Sequence, residues 1–134
     1  MNAETQRRRE SLNDLSSEVI GAAVAVHQVL GPGLLESAYE MALCHELGLR
    51  GLNFERQKSL PLVYKGVSIE PGYRLDLLIE NQLIVELKAI DKLAELHEVQ
   101  VLTYLRLTGI RLGLIINFNV PLLTQGVRRI VNKL

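Results

Sequence analysis

The sequence predicts a mixed α/β domain, a central mixed sheet flanked by helices. Two helix-compatible stretches, 16–30 and 34–49, precede a series of short β-prone segments. One of those segments, Leu83 to Ile90, is almost continuously apolar, as a central strand covered on both faces is. A third helix-compatible stretch and a second buried-looking strand follow, and the order helix, helix, several strands, helix, strand describes the architecture.

Each element has its own signals. Over Ser16–Leu30 helix formers run without proline, Asp14 or Ser16 can serve as N-cap, and Gly31-Pro32-Gly33 stops the helix. The polar residues 1–15, with Arg7, Arg8 and Arg9, form a separate N-terminal segment in this reading, and 16–134 a single domain. A second helix over Leu34–Leu49 places Leu35, Ala38, Ala42 and, one turn on, Glu46 at helical spacing before Gly48 and Gly51. Leu60–Tyr64 and Val67–Ile69 flank Lys65-Gly66 as a hairpin-like pair. Tyr73–Ile79 and Leu83–Ile90 are two further strands separated by Glu80, Asn81 and Gln82. Leu93–Thr108 is helical and closes on Gly109, Leu112–Phe118 is a buried strand, and Val127–Val131 is a last strand.

Composition bounds the function. With 134 residues the chain is shorter than the roughly 150 expected of one domain, so two catalytic domains are excluded. An apolar share of 48% against 22% charged residues supports a packed core. Fifteen Lys and Arg balance fifteen Asp and Glu, so no global field draws in polyanions or acidic membranes. Aromatics at 4%, with no Trp, argue against a single-strand binder built on an aromatic platform. Cys44 is the lone cysteine, which excludes intrachain disulfides and Cys-based zinc clusters and fits a reducing compartment. No run approaches the eighteen or so apolar residues of a membrane helix, so a soluble, cytoplasmic protein is expected. After Glu98 no acid remains while Arg106, Arg111, Arg128, Arg129 and Lys133 follow; solvated faces explain these more simply than a phosphate-binding patch.

Chemistry concentrates where the covered strand breaks its own rule. Glu86 and Lys88 interrupt an apolar run, although burying an ionised group costs several kcal/mol unless a partner offsets it. The pleat puts both on one face and Val85, Leu87 and Ala89 on the other. Asp76, on the preceding strand, meets Glu86 only in one register. A two-residue turn at Asn81 and Gln82 sets Asp76 opposite Leu87, whereas a three-residue turn sets it opposite Glu86. The odd-length or bulged turn is the expectation, because adjacent carboxylates then share a divalent ion or repel one another. Two carboxylates with water and a phosphate oxygen suit Mg²⁺ or Mn²⁺. Lys88 could then orient or help deprotonate the attacking water, or stabilise charge growing on phosphorus. A plain salt bridge from Lys88 to Glu86 or Asp76 accounts for the same three residues without catalysis.

Two helices carry further polar groups. Glu36 shares a helix face with Tyr39 or Glu40, and also suits the first turn as an acid favourable to the helix dipole. His97, Gln100 and Tyr104 fall at i, i+3 and i+7 as one polar stripe on a helix otherwise carrying Val99, Val101, Leu102 and Leu105. Solvent exposure explains that stripe equally, and His97 alone reads as a surface or hydrogen-bonded histidine rather than a ligand.

Gly33-x-x-Glu36-x-x-Tyr39, Tyr73-Arg74-x-Asp76, Val85-Glu86-Leu87-Lys88-Ala89, His97-Glu98-x-Gln100-x-x-x-Tyr104-Leu105, Thr108-Gly109 and Gly113-Leu114-x-x-Asn117-Phe118 occur in order over about residues 16–131. Together they closely resemble the GxxExxY protein family, which is similar to the RecB-like branch of the PD-(D/E)XK nuclease superfamily. That resemblance implies a restriction-endonuclease-like αβββαβ core on a mixed four-stranded sheet. It implies Asp76, Glu86 and Lys88 as the signature triad, and Glu36 as the helix-borne acid that binds or supports the metal. Gln100 and Tyr104 would line the cleft and hold a phosphate or water. Leu75 stands where the superfamily name has Pro, a position that ligates nothing. The implied function is a divalent-metal-dependent nuclease acting on phosphodiesters, in DNA by preference. A noncatalytic nucleic-acid-binding or interaction module, and a phosphohydrolase of small nucleotides, are the rivals. The absence of basic excess suggests a homo-oligomer or a partner subunit that supplies phosphate contacts.

Overall fold

Leu83-Ile84-Val85-Glu86-Leu87-Lys88 is the pivot of the architecture, since a strand this apolar must be covered on both sides. The computed structural model describes residues 2–133. It orders the chain as α1 (Ala3–Leu30), α2 (Glu36–Leu49), β1 (Phe54–Tyr64), β2 (Val67–Ile79), β3 (Leu83–Lys88), α3 (Glu95–Thr108), β4 (Leu112–Asn117) and β5 (Val127–Val131), with a short 3₁₀ turn at Leu123–Gly126. The five strands form one sheet in sequence order. Only β3 and β4 are parallel, joined across α3; every other neighbouring pair is antiparallel.

Alternation of side chains divides the core in two. Leu83, Val85 and Leu87 pack with Leu112, Leu114 and Ile116 beneath α1 and α2. Ile84 packs on the opposite face with Ile115, Val101 and Leu105, beneath α3. Gly113 lets that helix approach closely, because a Cβ there would sit 2.7 Å from Val101 Cγ1. Ala89 joins the first cluster, so the face assignment of Val85, Leu87 and Ala89 is the one expected.

Several boundaries differ from the sequence reading. The first helix starts at Ala3 rather than Ser16: the Asn2 side chain accepts the Thr5 amide at 2.8 Å, and a polar helix needs no apolar stripe where it runs in solvent. The segment 60–79 is not a hairpin followed by a separate strand. Instead β1 and β2 form one long ribbon, whose register shift between Leu60 and Leu62 absorbs the turn-like Pro71-Gly72. Gly72 is required there, since a Cβ would lie 2.4 Å from the Leu62 amide nitrogen. β3 ends at Lys88 rather than Ile90, because the Asn117 side chain takes both the Ile90 amide (3.1 Å) and its carbonyl (2.9 Å). α3 begins at Glu95 rather than Leu93, where His97 Nδ1 accepts the Ala94 amide at 2.9 Å. Among the described residues, no helix is long and apolar enough to cross a membrane.

Candidate active site

The β2–β3 turn decides the site. Glu80, Asn81 and Gln82 form a three-residue connection in which Glu80 and Asn81 take left-handed φ of 52° and 55°. Leu77 pairs with Val85, Leu78 with Ile84 and Ile79 with Leu83. This is the odd-length register, and its next step brings Asp76 to Glu86. There the side chains replace the ladder: the Asp76 amide donates to Glu86 Oε1 at 3.0 Å, and the Leu87 amide donates to Asp76 Oδ2 at 2.9 Å. Alternation also breaks at Asp76, since Leu75 packs with Leu78 under α3 whereas Leu77 and Ile79 pack under α1 and α2.

Glu86 is 5% exposed. Burial, and then the charge of Asp76, push its carboxyl up from 4.5 to about 8, with Lys88 opposing the shift. A second buried negative charge here needs a proton or a cation. The donor set suits a hard cation: each carboxylate retains acceptor capacity beyond the hydrogen bonds above. Among the described residues, no group of three or more His, Cys, Asp or Glu side chains is placed to hold a metal ion. Mg²⁺ does not require one, since it keeps several waters and binds through one or two carboxylates.

A cleft of about 470 Å³ gathers the rest, lined by Glu36, Asp76, Glu86, Lys88, Gln100 and Tyr104 together with Ser59, Tyr73 and Arg74. All six residues singled out from the sequence therefore share one cavity. Glu36 opens α2 and is exposed at the rim; burial and then Asp76 raise its carboxyl, while Lys88 opposes. Among the described residues, no carboxylate lies within ion-pair distance of Lys88 at the end of β3, although its charge is felt by Glu36 and Glu86. Burial, followed by the charges of Glu86 and Asp76, raises the Tyr104 phenol, with Gln100 opposing. Its ring stacks on Tyr73, centroids 5.3 Å apart.

Two motif residues serve structure instead. Tyr39 is fully buried and stacked on Phe118 at 4.5 Å; its hydroxyl donates to the Gly31 carbonyl at 2.5 Å and accepts the Leu34 amide at 3.1 Å. It thereby ties down the loop that launches α2 and fixes where Glu36 stands. His97 caps α3 and does not line the cleft.

Sequence reasoning missed a second network. Glu40, 6% exposed, accepts from Arg56 Nε at 2.7 Å and from the Gln57 amide at 2.5 Å. The same Gln57 nitrogen lies 3.4 Å from Asp76 Oδ1. No spacing advertises Gln57; only the register of β1 against β2 brings it there, between the pairs Arg56–Leu77 and Lys58–Leu75.

The family model of the PD-(D/E)XK nuclease superfamily matches residues 13–130, and the chain belongs to that superfamily. No curated protein and no solved structure matches it. The mixed sheet flanked by helices is consistent with a restriction-endonuclease-like fold.

Proposed function

We propose that this protein is a divalent-metal-dependent nuclease that hydrolyses phosphodiester bonds in DNA, of the GxxExxY type within the RecB-like branch. The observation that carries the reading is the cross-strand meeting of Asp76 and Glu86, with Lys88 one pleat further along the same cleft. Asp76 and Glu86 would hold Mg²⁺ or Mn²⁺, with Glu36 reinforcing from the rim. Bound there, the ion supplies Lewis acidity toward the phosphodiester and favours ionisation of the attacking water.

The chain's own groups do the rest. Glu86 would hold the cation as a carboxylate beside Asp76. Lys88 would donate to the negative charge that grows on the phosphoryl oxygens and orient the water. Gln100 and Tyr104 present an amide and a hydroxyl that hold the phosphate in line with attack. A pure binder would gain nothing from two carboxylates where a polyanion must sit.

The test is cleavage of plasmid and oligonucleotide DNA in Mg²⁺ or Mn²⁺, with EDTA as control. Wild type cuts, and Asp76→Ala and Lys88→Ala fold but lose at least about a hundredfold in rate. Cutting that persists in EDTA, or variants as active as wild type, or no cutting of any substrate, would overturn the proposal.

A further inference from the structure

We infer that Gln57 is a positioning residue for the cation site, holding Asp76 against the buried carboxylate of Glu40 so that Asp76 stands ready to ligate. The inference rests on the reading of Asp76 and Glu86 as cation ligands and extends it to a strand none of whose residues that reading uses. Gln57 falls opposite Asp76, between the pairs Arg56–Leu77 and Lys58–Leu75, where both strands leave the ladder, and its backbone lies in the left-handed region at φ 51°, a conformation a non-glycine residue keeps only when its surroundings enforce it. From this kink the side chain reaches two acids. One amide nitrogen carries two N–H groups; Glu40 Oε1 takes one and Asp76 Oδ1 lies within reach of the other. Glu40 is anchored in turn by Arg56.

The residue type follows from the charges. Glu36, Glu40, Asp76 and Glu86 crowd one region, as the mutual effects of Asp76 and Glu40 on Glu36 and of Asp76 on Glu86 record. A carboxylate at 57 would add repulsion, and an ammonium would compete with the cation for Asp76. A neutral double donor satisfies both acids and leaves the charge for the ion. With the Leu87 amide on Oδ2 and Gln57 on Oδ1, Asp76 is fixed from both oxygens while each keeps a lone pair.

Supporting partners of this kind typically change metal affinity 10- to 100-fold. Calorimetric titration of the metal-free protein with Mn²⁺ alone tests the inference. Gln57→Met, which keeps length and removes both donors, is expected to weaken Mn²⁺ binding about tenfold in protein that still folds cooperatively, with cleavage recovering as Mn²⁺ is raised. Glu40→Gln keeps an acceptor for Gln57 and is expected to retain affinity within about threefold, whereas Glu40→Leu matches Gln57→Met. Wild-type affinity in Gln57→Met overturns the inference, as does an equal loss in Glu40→Gln and Glu40→Leu. Failure of the underlying site shows differently: wild type then binds no Mn²⁺, or Asp76→Asn binds it undiminished.

Discussion

At the scale of residues, the site is a balance between burial and charge. Glu86 holds a proton in the native metal-free protein that the unfolded chain releases, its carboxyl rising from 4.5 to about 8. The stabilisation from that proton is fully present below about pH 4.5 and is lost as pH rises through about 8. At 1.36 kcal/mol per unit its upper bound is about 5 kcal/mol. Urea unfolding in EDTA is therefore expected to show stability falling between pH 5 and pH 8, and Glu86→Gln is expected to flatten that fall and to be the more stable protein at pH 8.5. A wild-type protein whose stability is flat or rising over the same interval contradicts the assignment. The residues were legible to different degrees. Glu86 and Lys88 stood out because charges interrupt an apolar strand, Asp76 because it sits on the preceding strand and meets Glu86 in one register, and Glu36, Gln100 and Tyr104 because helical spacing and ordered motifs placed them. Gln57 and the role of Glu40 were not legible: neither breaks a pattern, and only three-dimensional register shows that they meet Asp76.

Among elements, turns and glycines set what the residues can reach. The three-residue turn 80–82 was inferred from chemistry, since only that length lets the two acids meet, and the observed pairing follows it. The ribbon was misread because Pro71-Gly72 looks like a break; the register shift opposite it is a tertiary accommodation. Gly72→Ala is expected to cost about 1–3 kcal/mol, as overpacking does, because the new methyl meets the Leu62 backbone rather than a yielding side chain. Thermal or urea unfolding measures this, and a neutral substitution would show that the ribbon bends more readily than described. Tyr39 belongs to this scale also. Its hydroxyl bridges Gly31 and Leu34, so Tyr39→Phe, which leaves the Leu34 amide and Gly31 carbonyl unpaired, is expected to destabilise by about 1–2 kcal/mol and to lower cleavage by loosening the start of α2. Unchanged unfolding and unchanged cleavage would remove Tyr39 from the account. The motif spacing marked Tyr39 without revealing that its duty is to the loop.

For the whole molecule, the layered fold was predictable because the apolar strands β3 and β4 require cover on both faces, and α1, α2 and α3 supply it. The extension of α1 to Ala3 was not, since a polar helix end leaves no periodic trace. The formal net charge is zero, which leaves one copy poorly equipped to hold a duplex by counterion release. Light scattering coupled to size exclusion is accordingly expected to give a mass above the 15.0 kDa of the single chain; a strict monomer that cuts duplex DNA unaided contradicts this. The proposed function depends on one local event, the capture of a hard cation where β2 meets β3. Anomalous diffraction at the manganese edge from crystals equilibrated with Mn²⁺ addresses it most directly. The account predicts a peak within coordination distance of both Asp76 and Glu86 carboxylates; a saturated crystal with no peak there, or with manganese held elsewhere and the two acids still bonded only to main-chain amides, contradicts it.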